Sequence, residues 1–185
     1  LGSTRADALH QLAACGRDWI ILDPFYDTGE EGRWTPEEIN SIRVGPPGRK
    51  VLAYLSIGEA ECCRPYWRQE WDADSDGKPD GKAPGWLCGE NPDWKGNYKV
   101  RYWDSAWQDI VLGEVERILK AGFDGVYLDI VDAFEFFEFD PAKNDWIDER
   151  VNPSTGKTYR GDMVESVRLL AEQSRRQAPG SLVVP

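Results

Sequence analysis

The sequence predicts an α/β protein of the (β/α)8 TIM-barrel type, read from its first strand and cut after its fifth. Three observations carry this reading. Short apolar runs recur along the chain, helical patterns lie between them, and the two longest irregular stretches each follow the C-terminal end of a run. Alternating β and α patterns imply a parallel sheet with right-handed crossovers. In such barrels the loops after the strands carry the working residues.

Residues 4–15 read as the first helix, and DWIILD at 18–23 as the first strand, ending in Asp23. Thr35-Pro36-Glu37-Glu38 opens the next helix, with Thr as the cap and Pro at the first position. KVLAYLSI at 50–57 is the second strand, closed by Gly58-Glu59-Ala60-Glu61, and YKVRYW at 98–103 is the third. Residues 105–120 carry apolar positions at helical spacing, with Gly122 as the stop. FDGVYLD at 123–129 is the fourth strand, ending in Asp129. A helix over 161–178 ends before Pro179-Gly180, and SLVVP at 181–185 opens a fifth strand. Runs this continuously apolar suit strands buried on both faces of a parallel sheet.

A closed barrel takes about 250 residues. The 185 present therefore predict one barrel domain over 1–185, with its C-terminal units missing. Long insertions at 59–97 and 132–160 interrupt the rhythm, and structureless loops of that length are typically functional or disordered.

Composition narrows the chemistry. With 41% apolar residues the chain can bury one core. A net charge of −11 argues against nucleic acid and anionic membranes as partners, and no apolar run is long enough to span a bilayer. The single histidine, His10, argues against a Ser-His-Asp triad or a multi-His zinc site. Cys15, Cys62, Cys63 and Cys88 lack CxxC spacing. Carboxylates remain to do the work. Nine Trp and seven Tyr offer flat apolar faces with one polar handle, which suit sugar rings as well as a core.

The candidate catalytic residues are Asp129, at the end of the fourth strand, and Asp132, three residues on in the same aromatic-rich loop. A carboxylate there can act as nucleophile, acid or base, or simply cap the next helix. Asp23, Tyr54, Glu59, Glu61, Arg101, Tyr102 and Trp103 stand near other strand ends and are the candidate substrate-binding set. Separately, Asp72-Ala73-Asp74-Ser75-Asp76-Gly77-Lys78-Pro79-Asp80 follows the first nine positions of a calcium loop, although position 12 is Ala83 and not Glu. Its ligands would be Asp72, Asp74, Asp76, a carbonyl near Lys78, and Asp80. The competing reading is a solvated acidic turn.

Taken together, VLAYLSIGEAE (51–61), RPYW (64–67), APGWL (83–87), ENPDWKGNYKVRYWDSAWQ (90–108) and GFDGVYLDIVDAF (122–134) resemble glycoside hydrolase family 114, the endo-α-1,4-polygalactosaminidase-like family. The resemblance implies a TIM barrel that hydrolyses galactosamine-rich, amino-sugar polysaccharide with two carboxylates and no catalytic cofactor. The family's strand-four acid matches Asp129 best, with Asp132 as competitor. Its second carboxylate is a Glu just after the fifth strand, at or beyond Pro185. A barrel of this family that binds polysaccharide without cleaving it is the alternative. Such a hydrolase is expected outside the cytoplasm, extracellular or periplasmic, where Cys62 or Cys63 could bridge to Cys88. The acidic balance favours a cationic polymer. Calcium would be structural only.

Overall fold

Four of the apolar runs form a sheet, as their composition predicts, and the fifth goes elsewhere. The computed structural model describes residues 4–185. In chain order its elements are α1 (Arg5–Ala14), β1 (Trp19–Leu22), α2 (Pro36–Arg43), β2 (Lys50–Ser56), β3 (Glu59–Glu61), β4 (Leu87–Asn91), β5 (Trp94–Val100) and α3 (Ser105–Lys120). There follow β6 (Gly125–Asp129), α4 (Phe134–Glu138), β7 (Phe139–Asp140), β8 (Asp145–Trp146), α5 (Tyr159–Gln177) and β9 (Leu182–Val184). The chain packs as two compact units. One holds the chain up to Leu55 with Gly113–Leu128 and Ala171–Val184; the other holds Ser56–Leu112 and Asp129–Leu170.

The first unit is built on the sheet β1-β2-β6-β9, in which β1 pairs β2 and β6 pairs β9 in parallel. Val51, Leu52 and Ala53 of β2 have no exposed surface, the two-sided burial expected of a central parallel strand. β1 differs: Ile20 and Leu22 are buried while Trp19 and Ile21 are exposed, so this strand packs on one face. Gly125 lets β6 and β9 approach, because a Cβ there would lie 1.9 Å from the Leu182 carbonyl oxygen. One residue, through its side chain and its carbonyl, ties three strands together. Asp124 accepts from the Val51 amide at 2.8 Å and sits 3.4 Å from Arg43 and 3.5 Å from Lys50, and its carbonyl accepts from the Leu182 amide at 2.9 Å.

Helices α1 and α2 are fixed at both ends. Thr35 accepts from the Glu38 amide and Glu38 answers on the Thr35 amide, a complete capping box with Pro36 behind it. At the other ends stands Arg49, 2% exposed. Its guanidinium donates to the carbonyls of Leu12, Ala13 and Cys15 at the end of α1, of Ile42 in α2, and of Arg17. A buried cation at the C-terminus of a helix satisfies orphan carbonyls and opposes the helix dipole.

The second unit contains an antiparallel sheet, β3-β5-β4, and the hairpin β7-β8. This corrects the third predicted strand. Residues 98–100 end β5, which pairs antiparallel with Glu59–Glu61 and Leu87–Asn91 instead of joining the parallel sheet. The parallel strands among the described residues therefore number four. The insertion expected over 59–97 is an ordered sheet closed by indoles. Trp67 meets Trp71 at 5.2 Å, Trp71 meets Trp86 at 5.3 Å, and Trp86 meets Trp107 at 4.9 Å between ring centroids. The expected disulfide is absent, since none of Cys62, Cys63 and Cys88 is in a disulfide. β5 lies between β3 and β4, and two strand spacings of about 4.8 Å exceed the roughly 7 Å limit on Cα separation for a disulfide.

Candidate active site

Asp129 is the last residue of β6 and is half-buried. The next residue, Ile130, has φ 58°, a left-handed conformation that a β-branched residue adopts at a cost of about 1–3 kcal/mol. The surroundings enforce it. The Ile57 amide donates to the Asp129 carbonyl at 3.1 Å, and the Trp107 indole N–H donates to the Ile57 carbonyl at 2.9 Å. Gly58 leaves room for the crossing, since a Cβ there would come within 2.2 Å of the Ile130 carbonyl oxygen. The chain is thereby turned sharply at the residue the sequence singles out.

Asp132 follows on the exposed side of that turn, and its carbonyl accepts from the Glu135 amide at 2.9 Å. It lines an open groove of about 580 Å³ formed with Asn91, Asp93, Lys99, Phe136 and Trp146. Asp129 is not among the residues lining this groove.

The predicted substrate-binding residues divide. Glu59 has no exposed surface: its oxygens accept from Asn91 at 2.7 Å, Lys99 at 2.5 Å and Asn97 at 3.2 Å. It cannot touch a sugar, and it acts by holding Lys99. Tyr102 is likewise buried, donating its hydroxyl to the Tyr159 carbonyl at 2.7 Å, and burial pushes that phenol up. Glu61 is engaged by both ends of the Arg64 guanidinium, at 2.7 and 3.0 Å. Arg101 is exposed and donates to the Gly85 carbonyl, while half-buried Trp103 packs against Phe137 at 4.7 Å. Asp23 and Tyr54 belong to the first unit. Asp23 accepts from the Phe25 amide in a turn after β1, and Tyr54 sits within β2, two residues before its end.

The acidic loop is partly assembled. Carboxylate oxygens of Asp72, Asp74 and Asp80 lie within 4.8 Å of one another. Asp72 is buried, accepting from the amides of Asp76 and Gly77 and from the Tyr98 hydroxyl at 2.5 Å. Burial and that bond raise the Tyr98 phenol. Asp76, expected as a fourth ligand, instead accepts from its own neighbour, both amide and ammonium of Lys78, at 2.8 Å.

Sequence reasoning missed Arg160 and Glu138. Glu138 has no exposed surface and takes three contacts of 2.8–3.0 Å from the Arg160 guanidinium, which fastens α4 to the start of α5. A Glu next to a Phe run, with an Arg opening the following helix, was the available signal.

The model of glycoside hydrolase family GH114 matches residues 34–183. The chain belongs to this family. An uncharacterized protein of Deinococcus radiodurans is 35% identical over all of this chain, which covers 49% of that protein. Indeed, the chain spans about half the length of the curated relatives it matches. Among solved structures, the glycoside hydrolase domain of PelA from Pseudomonas aeruginosa superposes with a TM-score of 0.53 at 20% identity, covering 95% of this chain and 53% of that one. Aspergillus fumigatus Ega3, solved in complex with galactosamine, gives 0.55 at 21%, covering 91% and 58%. These likenesses establish the fold, a TIM-barrel type shared with other glycoside hydrolases. In this GH114 chain Asp129 closes the third parallel strand among the described residues, not the fourth. No helix of the described residues is long and apolar enough to cross a membrane.

Proposed function

We propose that the whole protein is an endo-acting glycosidase of galactosamine-rich, cationic polysaccharide, and that this chain supplies one of its two working carboxylates, Asp129. The observation that carries the reading is the backbone at the end of β6, where the strained Ile130 follows Asp129 directly. Strain of this kind persists where the surrounding structure over-determines it, and it clusters at active sites. Family membership supports the reaction class.

The chemistry needs no cofactor. One carboxyl protonates the glycosidic oxygen as the bond to the anomeric carbon breaks, and the other either attacks that carbon or activates a water. Asp132 competes with Asp129 for a role, and the partner acid is a Glu after the following strand. The protein works outside the cytoplasm, extracellular or periplasmic. Asp72, Asp74 and Asp80 hold a structural divalent cation that stiffens the β3-β5-β4 insertion. Incubation of the whole protein with de-N-acetylated galactosamine polymer should release new reducing ends and shorten the chains. Tight binding without new reducing ends would instead identify a polysaccharide-binding barrel.

A further inference from the structure

Just beyond β2, three successive carbonyls each meet a donor. The Trp107 indole N–H donates to Ile57 at 2.9 Å, the Val100 amide to Gly58 at 3.3 Å, and the Ser56 hydroxyl to Glu59 at 3.0 Å. With its carbonyls held, this segment presents the Ile57 amide to the Asp129 carbonyl at 3.1 Å. All of these residues lie in the second unit. On the other side of Asp129, Ile130 keeps its φ of 58° with its carbonyl against Gly58 and accepting from the Ala133 amide at 3.3 Å. The working end of β6 is thus clasped by the turn after β2.

Two of the three donors are local or belong to the sheet. The third comes from the first turn of α3, 50 residues along the chain, and Trp107 is 1% exposed. A ring that only filled space there could be Phe. The indole adds one N–H, aimed at an acceptor that burial would otherwise leave unpaired at a cost of about 1–3 kcal/mol. We propose that Trp107 is a positioning residue for Asp129. Its N–H fixes Ile57, Ile57 fixes the Asp129 carbonyl, and the turn at Ile130 is kept in the left-handed form that holds the carboxyl in one orientation. Such a conformation relaxes when the contacts that over-determine it are removed. The insertion after β3 then has a task. Trp86 lies against Trp107 at 4.9 Å, and Tyr66 meets it edge-on at 5.7 Å while its hydroxyl accepts from the Glu61 amide at 3.0 Å. These rings set the plane of the indole and so the direction of its N–H. The inference rests on the reading of Asp129 as a working carboxylate and deepens it.

The test uses the whole protein. Trp107→Phe keeps a ring and loses the donor. Trp107→3-benzothienylalanine keeps the indole's shape with sulfur in place of the N–H, and carries the test if the Phe variant folds poorly. In either, kcat on de-N-acetylated galactosamine polymer should fall about ten- to a hundredfold while KM stays within about twofold, because misplacing a reacting group by about 1 Å costs rate more than affinity. A second measurement needs no turnover. The 13C resonance of the Asp129 carboxyl, assigned through Asp129→Asn, should move in both variants, and the Ile57 amide should exchange with solvent at least about tenfold faster. An Asp129 resonance unmoved in the folded variants, or turnover unaltered in an active protein, overturns the proposal and leaves Trp107 as core. The glycosidase reading is judged apart from this. A moved resonance in a protein that releases no reducing ends upholds the positioning and sinks the hydrolase. Cleavage that neither variant slows does the reverse.

Discussion

The amide of Ile57 donates to the carbonyl of Asp129 at 3.1 Å, so the end of β6 is fixed through its main chain. A change confined to the Asp129 carboxyl should therefore leave the fold in place. Asp129→Asn in the whole protein is expected to lose at least about a hundredfold in turnover, with its melting temperature and circular dichroism unchanged. Turnover like that of the unaltered protein would move the role to Asp132.

Arg49 serves two helix ends at once. Arg49→Met would leave carbonyls of α1 and α2 without a donor inside the first unit. The expected loss is about 3–5 kcal/mol in a urea titration. Arg49→Lys should recover only part, since a single ammonium cannot reproduce the planar fork. A loss below about 1 kcal/mol for the Met variant would mean that water takes over the carbonyls.

The acidic loop offers a metal test. With Asp72, Asp74 and Asp80 gathered within 4.8 Å, calcium should raise the melting temperature and chelator should lower it. Asp74→Asn should abolish the response, whereas Asp76→Asn should keep most of it, because Asp76 is bonded to Lys78. Identical melting with calcium and with chelator would leave the loop as a hydrogen-bonded turn.

Acid stability should report on α2. The Arg5 guanidinium, first through its hydrogen bonds and then its charge, holds the Glu38 carboxyl below its usual range. A group whose folded value is depressed stabilises the fold above its unfolded value and loses that contribution as pH falls through the folded one. Stability should thus decline as pH drops below about 4.5. In Glu38→Gln that decline should be shallower, with a cost at neutral pH of about 1 kcal/mol or less. An unchanged acid limb would show that other carboxylates carry it.

Much of the fold was legible from periodicity. The apolar runs ending at Asp23 and Asp129 and the Thr35-Pro36 start all fall where the elements form. The stretch at 98–103 misled because it joins two different things. Tyr98 and Val100 are buried while Asn97 and Lys99 are half-exposed, the alternation of an antiparallel strand, and Arg101 onward leads into α3. At the candidate site, Asp129 and Asp132 stand out in the sequence only by their place after an apolar run. Glu59 was misread because its partners Asn91 and Lys99 lie 32 and 40 residues away, and no local pattern announces an ion pair closed by a sheet.

The four indoles of the second unit, Trp67, Trp71, Trp86 and Trp107, stand in an unbroken relay of neighbouring rings. Rings at 4.9 to 5.3 Å exchange electronic excitation faster than they emit, so light absorbed by any of them is shared before it is released. The relay gives the insertion a spectroscopic signature of its own. Coupled transitions should appear as strong near-ultraviolet circular dichroism, and emission should be depolarised beyond what tumbling explains. Both effects vanish when the rings part, so the coupled part of the optical signal follows the assembly of these four indoles.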